Sequence, residues 1–224
     1  MTGMLEGKTR YLQIAFNYDE RMVRQILPTI TASSRILIEA GTPYLKREGM
    51  DGIRLIRRYW RGHVVADIKT VDGALGEVDM VHAAGATAAT VLGNSPTETL
   101  DLFVERCSRL RMISMVDMLS VKDPLKVLMR LKMPPDVMVL HVGRDEENTR
   151  GKLIQYRHVT RVKSKFDVLI SAAGGVGIKQ ARSAIFNGAN IVVANLVSPG
   201  DPWTGISTDG NVASMAREFL ATIE

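Results

Sequence analysis

Cysteine is nearly absent from this chain. Of 224 residues only Cys107 carries a thiol, so an internal disulfide is excluded and a reducing, cytoplasmic setting is expected. Lying inside a helix-like stretch, Cys107 reads as a small semi-buried hydrophobe. Aromatic residues are scarce, at 5%. No apolar run approaches the roughly 18 residues of a membrane span, and the opening "MTGMLEGKTRY" lacks the apolar core of a secretory signal. An excess of either charge is also missing. Lys and Arg exceed Asp and Glu by 29 − 24 = 5, a mildly basic balance that suits anionic small molecules without requiring them. The densest basic run, "IRLIRRYWRGH" at 53–63, could offer Tyr59 and Trp60 as stackers for nucleic acid. A solvated helix face with Ile53, Ile56 and Trp60 turned inward accounts for it better, so neither nucleic acid nor membrane is an expected partner.

What the chain does have is a repeat. Short apolar runs begin near residues 11, 35, 63, 87, 111, 136, 166 and 190, at intervals of 24, 28, 24, 24, 25, 30 and 24 residues. Most lack polar alternation, the pattern of parallel strands covered on both faces. Helix-compatible segments separate them. Residues 95–110 start with a capping-box pattern from Ser95 to Glu98, and 122–132 carries Pro124 near its start. Eight such units predict an α/β protein, a single-domain (β/α)₈ TIM barrel over residues 1–224. An open doubly wound sheet shares the alternation, but no G-x-G-x-x-G follows the first strand.

A barrel gathers its chemistry at the C-terminal ends of its strands. The residues expected there are Asn17, Glu39, Asp67 with Lys69, Asp117, His141 and the pair Gly174-Gly175. In "VVADIKTVDGALGEVD" (64–79), strand alternation turns Asp67 and Lys69 to one face, with Asp72 just beyond. Flanking acids would keep Lys69 charged and fixed, able to stabilise a carbanion or enolate. The alternative, less favoured by the pattern, is an ion-pair network that only holds the rim together. Glu39, in "ILIEAGTP", could share Mg²⁺ with Asp67, because two carboxylates plus substrate oxygens suit that ion. His141 could move a proton and Arg144 hold an anionic group, whereas His63, His82 and His158 receive no role. "SAAGGVGIKQA" (171–181) is a glycine turn before a helix start, suited to phosphate.

At these residues the sequence resembles the orotidine 5′-phosphate decarboxylase superfamily, in particular its archaeal-type 3-hexulose-6-phosphate synthase branch. The resemblance runs from "YLQIAF" to "ANIVVA" and is carried most specifically by "IEAGTPYLKREGM", "ADIKTVD", "MVDMLSVKDP" and "SAAGGV". It implies a Mg²⁺-dependent aldol addition in which ribulose 5-phosphate, as its enediolate, attacks formaldehyde to give hexulose 6-phosphate, or the reverse. By the same resemblance, Glu39 and Asp67 hold the metal, Lys69 and Asp72 organise the enediolate, and His141 transfers protons. Asn17, Asp117, Arg144, Gly174, Gly175 and Asn195 line the substrate. A homodimer is implied, with Asp72 reaching into the neighbouring subunit's site.

Two positions depart from the family pattern. The first strand ends in Asn17 where the family has aspartate, and the eighth offers Ala194 and Asn195 where it has a glycine turn. Ala194 and Asn195 are expected to crowd or reshape one half of the phosphate cradle, so that sugar phosphates bind weakly or are rescued by donors of the following loop such as Ser198 or Thr204. Two alternatives therefore stand beside the synthase. One is enediolate or decarboxylation chemistry on a different, even non-phosphorylated, substrate, and the other is a non-catalytic binding barrel.

Overall fold

A computed structural model describes residues 4–151 and 153–224. Eight parallel strands close into a barrel: β1 (Tyr11–Phe16), β2 (Ile36–Ala40), β3 (Val64–Thr70), β4 (Ala88–Leu92), β5 (Ile113–Asp117), β6 (Val137–His141), β7 (Leu169–Ala173) and β8 (Ile191–Val197). Closure is made by β1 on β8, with Tyr11 opposite Ile191 and Ala15 opposite Asn195. The architecture is the (β/α)₈ barrel that the repeat predicts. A two-residue β9 (Ile206–Ser207) adds to β8, Leu196 facing Ile206.

The helices are α1 (Glu20–Ile26), α2 (Thr42–Tyr59), α3 (Ala74–Ala83), α4 (Thr97–Arg109), α5 (Pro124–Leu128), α6 (Arg144–Arg150), α7 (Val159–Lys163), α8 (Ile178–Phe186) and α9 (Val212–Thr222). On α2, Ile53 and Ile56 are buried and Trp60 follows them inward, while Tyr59 stays exposed, as a solvated basic face requires. Cys107 is fully buried on α4. Two local expectations fail. Ser95 does not cap α4, because its hydroxyl donates to the Thr70 carbonyl and Pro96 takes the cap position. Helix α5 spans five residues instead of 122–132, starting at Pro124 behind an Asp123 cap.

Strand alternation divides the apolar residues into two cores. One lies between sheet and helices. The other fills the barrel, with Ala15, Leu37, Val65, Met115, Val139, Ala173 and Val193 among its members. Two residues further along comes Asn17, Glu39, Asp67, Asp117, His141 or Asn195, all of which line the cavity, whereas Gly175, two beyond Ala173, does not. The period that packs the interior therefore aims the rim residues into the barrel mouth.

Candidate active site

The mouth holds a cavity of about 380 Å³, lined by Asn17, Glu39, Asp67, Lys69, Asp117, His141, Arg144, Gly174 and Asn195. At its centre is a chain of charges. Lys69 Nζ donates to Asp67 Oδ1 at 3.0 Å and to Asp117 Oδ2 at 2.8 Å. His141 Nδ1 lies 2.8 Å from the same Asp117 oxygen. Since Asp117 is an ionised acceptor, Nδ1 is the donor, and a neutral imidazole then keeps an Nε2 lone pair free. Burial alone would raise the Asp117 pKa, but His141 and Lys69 outweigh it and pull it down to about 2. Burial alone would lower Lys69, but Asp67 and Asp117 hold it above its ordinary value. The lysine is thus a fixed cation, with two of its three N–H groups committed to carboxylates.

Lys69 takes this place on an irregular strand. Its φ is 49°, and the β3–β4 register shifts between Ala66 and Thr70. Thr90 holds the bulge, its hydroxyl accepting from Lys69 N at 3.0 Å and donating to Asp67 Oδ1 at 2.8 Å. Thr42 donates to Asp67 Oδ2 at 2.8 Å, which gives the threonine of "EAGTP" its purpose. Asp72 does not flank Lys69 within its own chain. It is exposed in the turn beyond β3 and outside the cavity lining, and the second acid on Lys69 is Asp117.

Glu39 is buried beside this chain. Desolvation first, then the charge of Asp67, push its pKa up to about 7. Gln13 Nε2 donates to it at 2.5 Å, leaving Gln13 Oε1 buried with no partner. Among the described residues no group of three or more His, Cys, Asp or Glu is arranged to hold a metal ion. Gln13, Thr42 and Thr90 were not among the residues expected from sequence. Gln13 had a legible signal, being a polar residue inside "YLQIAF" on the same face as Asn17.

The far end of the cavity contains both departures from the family pattern. Asn17 Nδ2 donates to Asn195 Oδ1 at 3.0 Å, so the two altered positions touch each other. The Gly174-Gly175 turn follows β7 with φ values of 100° and 60°. Glu147 faces its outer side, where a Cβ on Gly175 would lie 2.5 Å from the carboxylate. Arg144 lines the cavity with its guanidinium 4.3 Å from the centre of the Trp203 ring. The loop carrying Trp203 is tied down. Asp201 accepts from the Tyr18 hydroxyl, and Ser198 N donates to that hydroxyl at 2.9 Å. Neither Ser198 nor Thr204 lines the cavity; Thr204 packs against Gly177 instead.

A barrel with a lysine held between two strand-end aspartates defines a class, and residues 10–195 match the model of the orotidine 5′-phosphate decarboxylase / HUMPS family. The chain belongs to that family. It is 34% identical over 216 residues to the "Bifunctional enzyme Fae/Hps" of Methanothrix thermoacetophila, covering 96% of this chain and 53% of that protein. The chain spans about half the length of the curated relatives it matches. A solved 3-hexulose-6-phosphate synthase is 26% identical with a TM-score of 0.77, covering 96% of this chain and all of its own. The enzyme of that name from Salmonella typhimurium shares the fold at a TM-score of 0.82 and 24% identity, over 95% of this chain and 98% of its own.

Proposed function

We propose that this chain is a lyase of the 3-hexulose-6-phosphate synthase type, joining formaldehyde to ribulose 5-phosphate or running the reverse cleavage. The observation that carries the reading is the line of His141, Asp117, Lys69 and Asp67 along one wall of a cavity that also contains Glu39. The named relatives support it.

Mg²⁺ is the cofactor in this reading. A divalent cation would relieve the like-charge pair of Glu39 and Asp67 and give Gln13 Oε1 a partner, and all the donors concerned are the oxygens this ion prefers. Glu39 and Asp67 would hold it, and it would supply electrostatic stabilisation to oxygens of the substrate.

The side chains supply the rest. Nε2 of His141 takes a proton from the hydroxymethyl carbon next to the substrate's carbonyl, and Asp117 stabilises the resulting imidazolium. The third N–H of Lys69 donates to an enediolate oxygen. The carbanionic carbon then forms its bond to the carbon of formaldehyde, whose oxygen receives the proton back from His141. Arg144 and the Gly174-Gly175 turn take the phosphate end. Formaldehyde loss in the presence of Mg²⁺ and ribulose 5-phosphate tests the reading, and no loss in that mixture would reject it.

A homodimer completes the proposal. Asp72 is flanked by Val71 and Leu75, which remain 52% and 47% exposed. An acid among exposed apolar side chains suits a surface covered by a second copy, whose site Asp72 would enter. Cys107, buried and unpaired, fits a cytoplasmic setting. The second reading, the same chemistry on a different substrate, is favoured by Asn17 and Asn195 alone. A screen of non-phosphorylated ketoses and aldehydes addresses it.

A further inference from the structure

Residues 194–197 do not form a turn. They continue β8 as regular strand, with Leu196 and Val197 paired to Ile206 and Ser207 of β9. Gly205 closes against the Asn195 carbonyl from behind, where a Cβ would collide with it. The stretch that would turn in a glycine cradle is strand here, paired along one edge to β9. The group it sends towards the cavity is the Asn195 side chain.

Asn195 is placed to supply it. Its Oδ1 is occupied by Asn17 Nδ2 at 3.0 Å, which fixes the plane of the amide. Its Nδ2 has no hydrogen-bond partner among the described residues and is not enclosed, and the residue lines the cavity together with Gly174 and Arg144. An amide held by its oxygen presents its N–H₂ to whatever enters.

This arrangement explains why both positions carry asparagine. An aspartate at 17 would set a carboxylate oxygen against Asn195 Oδ1, two acceptors with no proton between them. The Asn195 amide would turn over to donate to the acid, and its oxygen would then face the ligand. Aspartate at 17 and a presented N–H₂ at 195 are incompatible.

We propose that the Asn195 side-chain amide is the anion donor on the β8 side of the site, replacing the backbone of a glycine turn, and that Asn17 is the positioning residue that orients it. The ligand class is a phosphate monoester of a short sugar, so the proposal rests on the sugar-phosphate reading above. It also reverses the sequence-based expectation that Asn195 obstructs phosphate.

The experiment compares wild type with Asn17→Asp, Asn195→Ala and the double variant. It measures calorimetric titration of ribulose 5-phosphate and of D-ribulose, with KM and kcat for formaldehyde condensation beside them. Each single variant is expected to weaken ribulose 5-phosphate about tenfold, the worth of one charge-assisted hydrogen bond, acting on KM more than on kcat. The preference for the phosphate ester over free ribulose should fall by the same factor. The double variant should be no weaker than either single one, because the two act through one hydrogen bond. Tighter or unaltered binding by Asn195→Ala, equal losses with D-ribulose, or single effects that multiply would overturn the proposal, as would a wild type that binds no ribulose 5-phosphate. Thermal melts identify variants that fail to fold, and Asn17→Ser, which removes the donor without adding charge, replaces Asn17→Asp in that event. If wild type binds the ester but consumes no formaldehyde, the lyase reading falls while the binding data still decide this one.

Discussion

At the scale of single residues, Lys69 and Asp117 separate chemistry from scaffolding. Lys69 Nζ has a free N–H beyond its two carboxylate bonds, so Lys69→Ala is expected to lower kcat by about 10² or more. Asp67 keeps Thr42 and Thr90, and Asp117 keeps His141 and Leu119 N, so the variant should still fold. Turnover near wild type with a lowered Tm would make the lysine structural. Asp117 bears on stability as well. Its folded pKa lies near 2 against an ordinary 3.8. A depressed carboxylate favours the folded state above 3.8, and that contribution disappears as pH falls towards 2. The difference is on the order of 2 kcal/mol. Denaturant midpoints for Asp117→Asn should therefore change less between pH 4 and pH 2 than those of wild type. Parallel acid limbs in the two proteins would show that Asp117 does not drive the loss.

At the scale of elements, the mouth depends on loops that carry strain or tolerate no extra atoms. Gly174 has φ 100°, and a Cβ there would run into the Val142 carbonyl, which is backbone and cannot rotate away. Gly174→Ala is expected to cost about 3 kcal/mol in urea unfolding, from disallowed φ and overpacking together. A loss below half that would mean the turn re-forms in another conformation. Gly175 differs, since its neighbour is the end of a flexible side chain. Glu147 puts a negative charge near the phosphate turn, and only Arg144 offsets its burial, which raises the Glu147 pKa. Glu147→Gln should therefore strengthen competitive inhibition by inorganic phosphate several-fold, through removal of like-charge repulsion. An unchanged inhibition constant would place bound phosphate out of reach of Glu147.

At the scale of the whole molecule, the proposed dimer gives Asp72 its role. If Asp72 enters the neighbour's site, Lys69→Ala and Asp72→Ala homodimers should each be weak, while an equal mixture regains about a quarter of wild-type activity through hybrids with one intact site. No gain on mixing, with exchange verified by sedimentation of tagged chains, would confine Asp72 to its own subunit.

How much of this was legible beforehand follows from periodicity. The eight-unit repeat and the step of two that leads from Val65 to Asp67 and from Val139 to His141 are one-dimensional properties, fixed by strand geometry before any packing is known. The inward face of α2 was legible for the same reason. Ser95 does not follow its capping pattern, because that pattern specifies a local option and the Thr70 carbonyl of the neighbouring strand outcompetes it. Spacing along β3 suggests Asp72 as a flanking acid of Lys69 within the chain, but spacing says nothing about β5, which brings Asp117 to the lysine across 48 positions of chain. The Asn17–Asn195 contact spans 178 positions and exists only because β8 closes on β1. The barrel and its strand-end residues, from Asn17 and Glu39 to His141 and Asn195, are legible in the sequence because both arise from short-range periods, whereas Thr42 and Thr90 are not. Which of those side chains share a proton, a charge or an amide–amide hydrogen bond was decided by closure, because contacts across a barrel depend on register and no local pattern encodes it.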